Sequence, residues 1–318
     1  MKEALFVKRN AKKWKKYEEF REVSADNLAE KFIELTDDLS YSKTFYPNSN
    51  TTNYLNGLTS AFHQSIYKNK QESKSRFITF WKAELPILFY QSRKQFLYSF
   101  LFFVGACIIG AVSSKFDENF VRSVLGNDYV NMTNENIAKR DPFAVYKSMD
   151  EWSMFLRIAF NNIKVSFYAF ISGAFFSFGT VMVLIYNGIM VGSFQYFFFS
   201  KGLGMASVLV IWLHGTLEIS SIVISGATGL ILGNSILFPG TLPRKTSILL
   251  AVKKAIKISI GISPIFFIAA FIEGFLTRHT KMPIMLSGSI LFISAIFMIW
   301  YFIIYPKHIF NKQNNAAT

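Results

Sequence analysis

Residues 95–114 read QFLYSFLFFVGACIIGAVSS. This stretch carries no charged side chain, and at about 1.5 Å of rise per residue it makes a helix of about 30 Å, the thickness of a bilayer's hydrocarbon core. A soluble core would not need so long an uninterrupted apolar run, so the stretch reads as a membrane span and sets the fold class: an all-α, polytopic membrane helix bundle. The composition agrees. Hydrophobic residues make up 51% of the 318 and charged ones only 17%, against about 25% charged in an average soluble domain. The 35 Phe exclude a disordered or low-complexity chain. With Cys107 as its one cysteine, the chain has no internal disulfide framework and no cysteine-based zinc or iron–sulfur site.

C-terminal to that span the hydropathy predicts five more segments. A second span is expected over about 165–186, closed by the turn signal Asn187-Gly188. The run 189–200 is then a short third segment, about 18 Å long, re-entrant or a half-helix unless it borrows flanking residues. A fourth segment, about 206–234, is long enough to span with tilt. The connection 235–254 holds Arg244, Lys245, Lys253 and Lys254 without an acid, which the positive-inside rule makes cytoplasmic. A fifth span over about 255–276, bent by Pro264, leads through a loop with Arg278, His279 and Lys281 into a sixth over 284–304. Six crossings leave both termini in the cytoplasm, with residues 307–318 as a tail; five would place the basic 235–254 loop outside. Residues 115–151 carry five Lys/Arg against seven Asp/Glu and suit the extracytoplasmic side.

N-terminal to the first span, residues 1–94 read as a cytoplasmic helical domain. The start has no apolar core of signal-peptide type. Apolar residues recur at helical spacing, as Leu28, Phe32, Leu35, Leu39 and as Leu55, Leu58, Phe62, Ile66, which predicts three amphipathic helices. Phe77 to Lys94 mixes aromatic and basic residues like a helix lying in the membrane interface, bent at Pro86. The net charge of +14 is read as orientation and contact with anionic membrane lipid. No nucleic-acid motif is present, so nucleic acid is not an expected partner. The expected location is the bacterial inner membrane.

Ionisable residues inside apolar spans carry the functional information. His214 and Glu218 lie four apart and share a helix face with Ser221 and Ser225. That polar stripe must point into protein or a wet cavity. It reads either as interhelical hydrogen-bonding glue or as a proton, ion or substrate contact. HGTLE lacks the HExxH arrangement of zinc peptidase helices, and His63, His279 and His308 fall outside the spans, so no metal site and no cofactor is expected. Glu273 falls near the outer end of the fifth span and is expected to reach water. Asn162, Ser166, Gly173, Ser177 and Thr180 share a face of the second span, with Gly173 and Ser177 a small-xxx-small pair. Gly215, Gly226, Gly229 and Gly233 predict close backbone approach along the fourth segment. These small-residue faces permit homo-oligomerisation or packing within one chain.

The stretches 161–192, 214–233 and 269–277 together resemble the stage II sporulation protein M family of integral membrane proteins, over roughly residues 155–305. In that family the His-Gly-x-x-Glu helix, the Asn-Gly pair and the Glu near the end of a later span are hallmark positions. Here these are His214, Gly215, Glu218, Asn187, Gly188 and Glu273. The family takes its name from a subunit that anchors peptidoglycan hydrolases at the membrane during engulfment. The resemblance implies a non-enzymatic scaffold that positions envelope-acting protein partners. The buried His214/Glu218 face keeps a second expectation open, a transporter, channel or lipid-handling protein. An intramembrane hydrolase is the third, for which the sequence offers no nucleophile or metal.

Overall fold

A computed structural model of the chain describes residues 2–18, 25–68, 75–280 and 282–317. Lys281 and the side chain of Ile66 lie outside the described residues. Every regular element among them is helical, and the chain divides into two compact units, Met1–Arg76 and Phe77–Thr318. The stretch 77–94, grouped by its composition with the N-terminal helices, thus belongs to the second unit.

The first unit contains α1 (Glu3–Glu18), α2 (Ala25–Phe45) and α3 (Asn50–Lys68). The stripes read from the sequence face one another: Leu35, Leu39, Leu55 and Phe62 are buried with Phe6 and Trp14, and Leu28, Phe32 and Leu58 pack around them. Polar contacts tie the edges, with Trp14 Nε1 donating to Asp38 at 2.8 Å and Ser42 bonding Thr52 at 2.5 Å.

The second unit begins within α4 (Ser75–Thr79) and continues with a π-helical turn (Phe80–Glu84) and α5 (Leu85–Gln91). Pro86 has no N–H for the carbonyl of Lys82, and the Leu85 amide reaches back to Phe80 instead of Trp81, so two carbonyls are left without helical donors. Tyr301 donates to the Trp81 carbonyl at 2.7 Å and Tyr305 to that of Lys82 at 2.9 Å. The bend expected at Pro86 is thus a widened turn sealed by two tyrosines from the chain's other end.

The first span is α6 (Arg93–Phe116). After it α7 (Glu118–Leu125), α8 (Asn127–Ala138) and a short turn (Ala144–Lys147) fold into a cap, where Val121, Val130, Phe143 and Tyr146 are buried with Phe197, Phe198 and Val210. Next come α9 (Glu151–Ile171), α10 (Phe178–Ser200), α11 (Gly204–Leu237), α12 (Arg244–Phe271) running on through a π-helical turn (Ile272–Leu276), α13 (Ile284–Ile299), a π-helical turn (Trp300–Ile304) and α14 (Tyr305–Ala317). Five helices are long and apolar enough to cross a membrane: 93–116, 178–200, 204–237, 244–276 and 284–312. Large side chains such as Phe100, Ile108, Ile268 and Ile293 are exposed on them, as lipid-facing residues are.

The second and third segments differ from the sequence reading. No helix covers 165–186; the chain breaks at 172–177, where Phe176 and Ser177 adopt positive φ of 53° and 67°. The Asn187-Gly188 pair lies inside α10, a full-length helix rather than a short re-entrant one. The reason is packing. Gly188 is small where α10 crosses α6, and a Cβ there would stand 2.6 Å from the Phe103 carbonyl oxygen. A turn propensity of a few tenths of a kcal/mol yields to burial of an apolar helix. At the true elbow, Gly173 lies against the backbone of Gly229, and the Thr180 hydroxyl donates to the Ala169 carbonyl at 2.7 Å, which ties α10 to α9. Ser177 therefore caps α10 from a left-handed conformation instead of forming a face with Gly173 on one helix. Pro264 sits within α12, which continues through it.

Contacts fix the helix directions. Ser166 bonds Ser225 and Gly173 meets Gly229, so α9 runs parallel to α11. Gly188 meets Phe103 and Gly192 meets Cys107, so α10 runs parallel to α6. Ser247 donates to the Ser235 carbonyl while His214 meets Glu273, so α12 runs antiparallel to α11.

Candidate functional site

Helix α11 presents His214 and Glu218 one turn apart, and the π-helical turn ending α12 delivers Glu273 to them. The extra residue of that turn shifts the side-chain register, as π turns commonly do at functional sites. His214 Nε2 lies 3.6 Å from a Glu273 oxygen, and donor atoms of His214, Glu218 and Glu273 all fall within 4.8 Å of one another. His214 is buried and both carboxylates are partly so. No Lys or Arg among the described residues is ion-paired with either acid. The sequence places Glu273 at the wet interface; the structure instead brings it inward to the histidine.

Three further groups complete the cluster. Thr277 Oγ1 lies 3.1 Å from His214 Nδ1 and donates its own proton to the Ile272 carbonyl at 3.2 Å. In the tautomer with the proton on Nδ1, Nδ1–H donates to Thr277 and the Nε2 lone pair faces Glu273. The buried Asn162 of α9 lies against the Glu218 carboxylate, and its amide nitrogen has no hydrogen bond of ordinary geometry. Tyr146 from the cap sets its ring edge-on to His214, centroids 5.9 Å apart. Burial pushes the Tyr146 phenol well above its ordinary 10, with the carboxylate of Glu273 adding to it, so this ring stays neutral at physiological pH.

The cluster forms the floor of a cavity of about 960 Å³ between α9, α10 and α11, roofed by cap residues including Tyr129 and Tyr146. The cavity opens between α9 and α10, where Phe160 and Tyr186 are exposed on opposite lips. Arg157 and Lys164 of α9 also line it and are exposed, which gives a basic rim over an acidic floor. Gln195 accepts a hydrogen bond from Trp212 Nε1 at 2.8 Å and donates to Ser207 at 2.8 Å, which holds the wall between α10 and α11.

The other residues singled out by sequence divide between this cavity and the packing around it. Ser225 bonds Ser166 at 2.6 Å, and Ser221 is fully buried with no partner for its hydroxyl. Asn187 donates to its own helix at Val183 and does not join the cluster. Gly226 abuts Leu184 and Ser99, Gly229 abuts Ala169 and Thr180, and Gly233 abuts Ser177. Gly215 differs: a Cβ there would meet no atom nearer than 3.9 Å, because this glycine faces the cavity. Thr277 and Tyr146 were missed by sequence reasoning. Thr277 stands four residues after Glu273, a spacing that could have drawn attention to it, whereas nothing in the sequence links a residue of the 115–151 segment to His214.

Fold and site together define a multi-pass helical membrane protein with an open cavity that carries a polar cluster at its floor. The chain belongs to the stage II sporulation protein M family, whose model, described as Stage II sporulation protein M, matches residues 99–278, more than half of the chain. A second model, described as a domain of unknown function (DUF8413), matches residues 4–68, the extent of α1 to α3. No curated protein and no solved structure matches the chain significantly.

Proposed function

We propose that this protein crosses the bacterial inner membrane six times, by α6 and α9 to α13, and binds an anionic amphiphile in the cavity between α9 and α10. The alternating helix directions support six crossings. They leave both termini and the basic 238–254 segment on the cytoplasmic side, with the cap outside. Helix α9 carries Arg157 and Lys164 and is the least apolar of the six; cations of this kind at membrane depth mark ligand or ion pathways. The observation that carries the reading is the lateral opening, with its basic rim, aromatic walls and polar floor. An acyl chain can lie between the lips while an anionic headgroup meets Arg157 and Lys164.

A second reading, a non-enzymatic scaffold that positions envelope-acting partners, is favoured by the separate N-terminal unit with its own core. Mild cross-linking in native membranes, purification and mass spectrometry of both protein and lipid address the two together. The amphiphile reading expects bound anionic lipid, with Arg157→Gln and Lys164→Gln each weakening its retention about fivefold, from about 1 kcal/mol per cation. Equal retention of zwitterionic and anionic lipid by wild type and both variants would contradict it. A stoichiometric protein partner lost on deletion of residues 1–76 would favour the scaffold.

A further inference from the structure

We propose that His214, Glu218 and Glu273 form a binding site for one divalent first-row metal ion of the zinc or manganese type. The cavity is the one described above, but the inference does not depend on what occupies the rest of it. Sequence spacing alone supplies no metal site, because HGTLE offers only two donors. The π-helical turn of α12 adds the third.

The geometry fits a cation better than a purely structural cluster. An ion about 2.1 Å from each donor in tetrahedral coordination holds the donors about 3.4 Å apart. The His214–Glu273 separation is 3.6 Å, and all three donors lie within 4.8 Å of one another, a span that carboxylate rotation closes. The imidazole is already oriented for ligation, since Nδ1 stands 3.1 Å from Thr277 Oγ1, which can accept Nδ1–H, and Nε2 faces a Glu273 oxygen. Hydrogen bonding to the distal ring nitrogen is the usual way in which a ligating histidine is oriented. Two carboxyl groups and an imidazole converge here without a paired Lys or Arg, so a divalent cation would find its counter-charges in place. Asn162 lines the same cavity and lies against Glu218, so its amide nitrogen, a donor that cannot itself ligate a cation, positions that carboxylate. An imidazole with two carboxylates suits zinc, manganese or iron rather than calcium or magnesium. Three protein ligands leave a coordination position open toward the cavity.

The test uses the full-length protein in detergent with any affinity tag removed, stripped by a chelator and titrated with Co²⁺ as a spectroscopic probe and with Zn²⁺. One saturable equivalent is expected, with visible Co²⁺ ligand-field bands. Glu218→Gln and Glu273→Gln should each weaken binding at least about tenfold, and Thr277→Val, which acts through His214, about tenfold. His279→Ala should leave affinity unchanged. Absence of a saturable equivalent, or equal affinity in Glu218→Gln and Glu273→Gln, would overturn the site, as would loss of binding in His279→Ala. Should the glutamine variants fail to fold, X-ray absorption of zinc-loaded wild type decides. An all nitrogen and oxygen shell with one imidazole supports the site, and sulfur or the absence of imidazole overturns it. Lipid retention is a separate measurement, so either reading can fail without the other.

Discussion

Gly229→Ala is expected to destabilise the protein by about 3 kcal/mol or more, seen as a collapse of thermal stability in detergent and of yield from membranes. The added methyl would stand far inside van der Waals contact with both the Ala169 carbonyl oxygen and the Thr180 hydroxyl. Those two atoms bond each other across the elbow between α9 and α10, so neither can retreat without breaking that link. Overpacking a close-packed interior usually costs about 1–3 kcal/mol, and here the loss of the hydrogen bond adds to it. Gly215→Ala is the control on the same helix. Its methyl meets open cavity, and exchanging a helical glycine for alanine gains about 0.5–1 kcal/mol. Equal melting temperatures for the two variants would mean that α9 does not cross α11 at Gly229.

Tyr146→Ala is expected to cost about 3–5 kcal/mol, the range for emptying a buried aromatic site. Its ring is buried in the cap against Phe143, Phe198 and Met154 and also covers His214, so its loss both loosens the cap and unroofs the cluster. The pH dependence has a definite sign. Burial raises the folded-state pKa above the ordinary 10, so the contribution of the neutral phenol is fully present below about pH 10 and is lost as pH rises beyond that. Tyr146→Phe should therefore remove an alkaline loss of stability that wild type shows above about pH 10, while retaining most of the stability at neutral pH. An unchanged alkaline profile in Tyr146→Phe would show that Tyr146 is not enclosed.

Legibility in the sequence followed the range of the interaction concerned. The span at 95–114 and the stripes Leu35/Leu39 and Leu55/Phe62 were readable because local hydrophobic pattern determines them. The elbow at 172–177 was not, since SGAFFSF carries no charged residue and no proline; its reversal depends on Gly173 meeting Gly229, a contact 56 residues away in the chain. Asn187-Gly188 misled for the converse reason, a strong local turn signal overruled by the crossing of α6 and α10. His214 and Glu218 were visible as a pair because four residues make one helical turn. Glu273 was visible only as an ionisable residue in an apolar segment, and its partner could not be named, because a π-helical turn leaves no periodic mark and no local rule connects residues 214 and 273.

An open cavity with the His214, Glu218 and Glu273 cluster at its floor underlies both proposals, and Gly215 is the position from which to probe it. In a Cys107→Ser background, Gly215→Cys adds a thiol that the space beside Gly215 accommodates. Reaction of membrane vesicles with a small, water-soluble methanethiosulfonate reagent then reads access. Rapid labelling from the extracytoplasmic side, slowed by Co²⁺ or by an anionic amphiphile, is expected of an open cavity. A thiol that stays unreactive from both sides while the variant remains folded would show that the cavity is closed to water.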